Sequence, residues 1–68
     1  MKIYINNKEL RVFQGARIRD AILACSPRLL HLVLAGKLAV HDRFGNRTEL
    51  DGPLIEGQRL TLKRIPSS

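Results

Sequence analysis

The stretch Arg17–Cys25, RIRDAILAC, constrains this chain more than any other. Ile18, Ala21, Ile22 and Cys25 recur at i, i+3, i+4 and i+7, one face of an α-helix, while Arg17, Arg19 and Asp20 fall on the opposite face. A helix this short does not hold itself together in water, where isolated helices under ~12–15 residues are marginal. It has to lie on a surface, and the segments on either side alternate apolar and polar residues in the manner of strands. The expected surface is therefore a sheet. The chain has 68 residues, room for one domain (1–68) with a small core.

In Lys2–Asn6, Ile3 and Ile5 take one side and Tyr4 and Asn6 the other. Asn6-Asn7-Lys8-Glu9 supplies turn residues, and Leu10–Phe13 resumes the alternation with Phe13 expected to pack, so the opening reads as a β-hairpin. Gln14-Gly15 ends it. Ala16–Cys25 is the helix, and Ser26-Pro27 is expected to close it, because a residue before proline is pushed out of helical geometry. Arg28–Ala35 reads two ways: Leu29, Leu30, Val33 and Leu34 have helical spacing with Gly36 as a C-cap, and Leu32–Ala35 also suits a buried strand. The strand, beginning near Leu32, is the reading taken here. Leu38–Asp42 alternates again, with Leu38 and Val40 inward and His41 outward. Phe44-Gly45-Asn46 turns the chain, Arg47–Leu50 is short and extended, and Asp51-Gly52-Pro53 and Glu56-Gly57-Gln58 are further turns. Arg59–Ile65 is the clearest strand, with Leu60 and Leu62 inward and Thr61 and Lys63 outward; Pro66-Ser67-Ser68 is a frayed end. Hairpin, helix and further strands, with the last strand parallel to the first, make an α+β fold: a mixed sheet of four to five strands packed on one main helix. This is the β-grasp arrangement.

Twelve Lys and Arg against six Asp and Glu give a net charge of +6, which suits an acidic partner. The single cysteine rules out an internal disulfide, and Cys25, on the inner face of the helix, is expected to act as a small hydrophobe. No apolar run approaches the ~18 residues of a membrane helix, and the chain opens on a strand pattern rather than a signal peptide, so the expected location is cytoplasmic. His31 and His41 lack partners at metal-ligand spacing, and Cys25-x5-His31 fits no zinc pattern. Neither a Ser-His-Asp arrangement nor a glycine-rich phosphate loop is present. No catalytic, cofactor-binding or metal-binding residue is expected, and the chain is expected not to be an enzyme.

The residues singled out for partner contact are Tyr4, Arg43, Arg47, Arg59 and Lys63. If the four basic residues share the outer face of the sheet they form a patch, which is otherwise an ordinary solvated charged face. Tyr4, on the outer face of the first strand and expected next to Lys63 on the last, is the candidate stacking or protein-contact residue. Nucleic-acid binders add exposed aromatics for stacking, and only Tyr4, Phe13 and Phe44 are available, which puts nucleic acid second to protein.

Nearly the whole chain resembles the small ubiquitin-like sulfur carriers of thiamine and molybdopterin biosynthesis, the ThiS and MoaD proteins. Met1-Lys2-Ile3-Tyr4-Ile5-Asn6-Asn7-Lys8 is similar to their first strand and turn. Gly15 followed by Ile18-Arg19-Asp20-Ala21-Ile22 is similar to the pre-helix glycine and first helix. Val33–Val40 resembles their central apolar strand and its turn, and Leu54–Leu62 the approach to the last strand, with Gln58 where an Asp is usual. The resemblance implies a β-grasp fold and a partner that adenylates the carrier's C-terminal Gly-Gly before it becomes a thiocarboxylate. Here no glycine follows Gly57, Pro66 stiffens the tail and two serines add bulk, so no catalytic residue carries over. The expectation is a non-catalytic interaction module on the carrier scaffold, recognising an acidic protein surface such as that of an adenylating or synthase enzyme. A sulfur carrier for cofactor biosynthesis is the alternative. An RNA-binding module is a further one, because Leu29–Gln58, through Gly36-Lys37-Leu38-Ala39-Val40 and Glu56-Gly57, faintly resembles the tail of an S4 RNA-binding domain. The opening hairpin does not suit that family.

Overall fold

Two adjacent asparagines start the fold. Asn6 and Asn7 both adopt left-handed backbone, at φ 50° and 69°, and this pair of positive φ angles is what a two-residue hairpin turn requires. The computed structural model, which describes residues 1–66, places strand β1 at Lys2–Ile5 and β2 at Lys8–Arg11 on either side of it, with Ile5 opposite Lys8 and Ile3 opposite Leu10. The second strand starts earlier than the Leu10–Phe13 alternation suggested, and Phe13 lies beyond it, 65% exposed rather than packed.

Helix α1 (Ile18–Cys25) follows as expected, burying Ile18, Ala21 and Ile22. Its start is closed from two sides. The Asp20 carboxylate accepts the Arg17 N–H at 2.9 Å, the acidic half of a capping box. The Glu49–Pro53 loop supplies carbonyls for two N–H groups that a helix start leaves without partners: Ile18 donates to Gly52 and Arg19 to Leu50, at 3.1 and 2.9 Å. Arg17 also donates from its guanidinium to the Asp51 carbonyl at 2.7 Å, and Arg19 pairs with the Asp51 carboxylate.

The next segment corrects the sequence reading. Ser26-Pro27 does end α1, with Ser26 extended at φ −168° and ψ 123°, but it also begins a second helix, α2 (Pro27–Leu34). Proline at the first helical position loses no hydrogen bond, since its missing N–H would have had no partner there. The strand expected near Leu32 is therefore the last turn of α2. The helix stops where Gly36 takes a positive φ of 77°, with Gly36 donating to the Val33 carbonyl and Lys37 to the Leu32 carbonyl, a Schellman motif. Among the described residues there are two helices rather than one main helix, and of the residues likened to a central strand only those from Leu38 onward are in one. α2 has no fully buried residue; Leu29, Leu30 and Val33 pack half-buried against the core.

Strands β3 (Leu38–Asp42) and β4 (Arg59–Arg64) complete a four-stranded mixed sheet of order β2-β1-β4-β3. The chain's first and last strands run parallel at its centre, with Ile5 opposite Leu60, and β3 pairs antiparallel with β4. The parallel ladder is extended by the Asn6 side chain, whose Oδ1 accepts the Leu62 N–H at 3.0 Å. Along the other edge of β3, Arg47 bridges His41, and Asp42 and Thr48 donate to the carbonyls of Asn46 and Val40, so Asn46–Thr48 lies there as one extended stretch too short to be a strand. The core is Ile3, Ile5, Ala16, Ile18, Ala21, Ile22, Val40, Leu54 and Leu60, with Cys25 half-buried against it. Among the described residues no helix is long and apolar enough to cross a membrane.

Candidate interaction surface

Side chains alternate across a strand, so the residues between the core positions face away from the helices. With Ile3, Ile5, Val40 and Leu60 inward, the opposite face carries Tyr4 from β1 and Arg59, Thr61 and Lys63 from β4. His41 stands opposite Thr61 on β3, and Arg47, bridging His41 along the edge, presents to the same face. Four of the five residues singled out from sequence, Tyr4, Arg47, Arg59 and Lys63, thus share one face. The fifth, Arg43, lies in the turn after β3, its guanidinium 4.7 Å above the Phe44 ring.

Tyr4 is not beside Lys63. It stands opposite Arg59, whose guanidinium lies 4.3 Å above its ring, while Lys63 is opposite Ala39. This cation–π contact holds Arg59 over the sheet and leaves its N–H edge free. The ion pairs among the described residues are Lys2–Glu9, at 3.6 Å, and Arg19–Asp51. Neither involves Arg43, Arg47, Arg59 or Lys63, so these four exposed cations have no carboxylate partner among the described residues.

Sequence reasoning passed over Lys2, Glu9 and Arg11, which belong to the same face; Lys2 is two residues from Tyr4, and the two-residue period alone places it there. It also treated His41 as a simple outward strand residue. His41 Nδ1 is screened from water and is the one such side-chain nitrogen or oxygen without a hydrogen-bond partner among the described residues. Leaving it so costs on the order of 1–3 kcal/mol.

Where this face meets the end of the sheet, a cleft of about 390 Å³ opens between the turn after β3 and the loop before β4. Arg43 and Phe44 line one wall and Pro53, Ile55 and Arg59 the other. Phe44 and Ile55 are 71% and 69% exposed. The turn is held by the Asp42 carboxylate, whose Oδ1 accepts the N–H groups of Asn46 and Phe44 at 2.9 and 2.8 Å. The hydrogen bond from Asn46 is the largest cause holding the Asp42 pKa below its ordinary value, with that from Phe44 adding to it and desolvation opposing. Among the described residues no group of three or more His, Cys, Asp or Glu side chains is arranged to hold a metal ion.

No family model, no curated protein and no solved structure matches this chain.

Proposed function

We propose that this chain is a β-grasp, ubiquitin-like interaction module related to the ThiS/MoaD sulfur carriers, that it is not itself an enzyme, and that its outer sheet face receives an acidic protein surface. The scaffold part of this reading is supported by the parallel pairing of the two terminal strands in the middle of a mixed sheet, with α1 across the inner face. The observation that carries the functional part is the unpaired charge on the other face. Arg47, Arg59 and Lys63 are exposed there with no carboxylate partner among the described residues. Arg59 and Lys63 are four residues apart on one strand, roughly 13 Å at ~3.3 Å per residue, a span that suits an extended acidic segment. Protein is favoured over RNA because the Arg59 guanidinium already covers one face of Tyr4, the ring on which a base would stack.

The test compares proteins retained by the immobilised chain with those retained by an Arg47→Glu/Lys63→Glu variant, with and without ribonuclease. Both side chains are exposed, so the variant keeps its fold. Ribonuclease-resistant retention of an acidic protein that the variant loses supports the proposal. Retention unchanged by the two substitutions refutes it, and retention abolished by ribonuclease transfers the face to RNA.

A further inference from the structure

The two edges of the sheet are unlike. Along β3, Asn46–Thr48 pairs with Asp42 and Val40 and covers part of the edge. Along β2 nothing among the described residues pairs with the outer side of the backbone. The hairpin decides which β2 groups are left free. Met1 and Val12 exchange both N–H···O bonds, at 2.6 and 2.9 Å. Bonded and non-bonded pairs alternate along an antiparallel ladder, so Ile3–Leu10 and Ile5–Lys8 are bonded while Lys2–Arg11 and Tyr4–Glu9 are not. Tyr4 accordingly donates to Gln58 on its other side. Glu9 and Arg11 therefore turn their N–H and C=O groups to the open edge.

Such a row of free groups is a template for another strand, and charged side chains normally guard it. Here the guard is complementary to itself. Only residues aimed at the edge can bond across it. An antiparallel pairing of β2 with β2 about a two-fold axis must therefore be centred on Glu9, on Leu10 or on Arg11. Centring on Glu9 sets Glu9 against Glu9, and centring on Arg11 sets Arg11 against Arg11; like charges directly opposite destabilise. Centring on Leu10 sets each Glu9 against Arg11 of the other copy, with ~5.5 Å between the Cα atoms of such a bonded pair. It also brings Leu10 onto Leu10 on the inner side and Lys8 opposite Val12, so no like charges face each other. Glu9 and Arg11 are exposed and Leu10 is half-buried. Arg11 has no carboxylate partner among the described residues. Glu9 meets Lys2 at 3.6 Å between two half-exposed side chains, a contact worth little in water.

We propose that two copies of this chain associate edge to edge through β2, antiparallel and centred on Leu10, to form one continuous sheet. Both copies use the same edge, so the contact closes at the dimer instead of propagating. It is a small contact, which makes the dimer weak and dependent on concentration. A two-fold axis perpendicular to the sheet leaves both outer faces on one side of the assembly. The inference is independent of what that face receives.

Sedimentation velocity of the full chain from about 10 μM to about 1 mM should show monomer giving way to dimer. Over the same range the Glu9 and Arg11 amides of the ¹⁵N-labelled chain should shift and gain protection from hydrogen exchange. The Lys8 and Leu10 amides, already bonded to β1, should keep the protection they have. Glu9→Arg places a second guanidinium against Arg11, and Arg11→Glu a second carboxylate against Glu9. Each variant alone should therefore dissociate about tenfold more readily. Mixed in equal amounts the two variants should dimerise again, because every guanidinium then faces a carboxylate, and that recovery also shows that both are folded. A chain still monomeric at about 1 mM overturns the proposal and leaves the edge merely guarded. So does a dimer that both variants keep, or a mixture no more associated than its components. New protection at Leu34, or at Phe44 and Ile55, would give the contact to another exposed apolar region and overturn it too. Species that grow past the dimer would show that the contact propagates, which the two-fold pairing forbids.

Discussion

On the inner side of the sheet Ile3, Ile5, Val40 and Leu60 are at most 2% exposed, whereas the neighbouring residues Tyr4, His41 and Arg59 turn to the other side and are polar or charged. The same strands thus carry two sets of instructions. Inward positions are fixed by packing, where one missing methylene is felt. Outward positions meet in exposed pairs such as Lys2–Glu9 and Arg59 on Tyr4, and accept substitutions at small cost in stability. The fold is thereby insulated from changes on the face proposed to meet a partner, and each face has a variant that tests this separation.

The largest effect is expected inside. Ile5→Ala empties a fully buried position at the centre of the parallel pair, at a cost of ~2–5 kcal/mol. At ~0.05–0.15 kcal/mol per residue a domain of this size has about 3–10 kcal/mol in total, so the variant should be largely unfolded near its working temperature by circular dichroism or urea titration. A loss below about 1 kcal/mol would mean that the inner face is not the core.

Next comes the clasp that fastens α1 to that face. At Gly52 a Cβ would sit 3.0 Å from the Glu49 carbonyl oxygen and 3.1 Å from Ile18 Cδ1. Backbone there cannot yield cheaply, because the same loop receives the first N–H groups of α1. Gly52→Ala should therefore destabilise by about 1–3 kcal/mol, the range for overpacking. If its urea midpoint matches that of the unsubstituted chain, the loop is looser than the contacts imply.

The difference between the faces also explains which parts of the fold were legible in the sequence. Inward positions announce themselves by period: Ile3, Ile5, Ile18, Ile22 and Leu60 were each assigned to the core by alternation or helical spacing. α2 was not legible, because Leu29–Leu34 is apolar at a spacing that fits a helix and a buried strand alike, and Ser26-Pro27 was taken as a stop when it is both stop and start. Phe13 misled for a related reason, since alternation continues past the residue where pairing ends. For the outer face, parity alone placed Arg59 and Lys63 together. The partner of Tyr4 depended on the register between β1 and β4, which pairs strands more than fifty residues apart and leaves no local mark in the chain. The cleft was hidden for the same reason: Phe44 and Ile55 sit in separate loops that only the closed sheet brings together.

His41 is the outer-face residue that breaks the rule of small effects. Its Nδ1 is buried without a partner, so an apolar side chain of similar size removes a penalty and loses no hydrogen bond made by that atom. His41→Leu should raise stability by about 1 kcal/mol, which for a domain of 60–100 residues is a rise of roughly 4–8 °C in Tm. A fall in Tm would show that Nδ1 is satisfied by water in solution and that the outer face is uniform after all.

The smallest effect lies where the two faces meet, in the turn that carries Arg43 and Phe44. The Asp42 carboxylate accepts N–H groups from Asn46 and Phe44, and these bonds hold its pKa below the ordinary value of 3.8. A carboxyl whose pKa is lower folded than unfolded contributes stability that is complete above the unfolded value and is lost as pH falls through the folded one. Asp42→Asn keeps a side-chain carbonyl as acceptor but cannot titrate. The other carboxyl groups are common to both chains and cancel in the comparison. The urea midpoint of the unsubstituted chain should exceed that of the variant by a constant margin above about pH 5, where carboxylates are ionised. The margin should shrink below about pH 4 and vanish once Asp42 is protonated in both states. A margin that stays constant down to the lowest pH would mean that the carboxylate does not hold the turn, and the wall that Arg43 and Phe44 give the cleft would need another support.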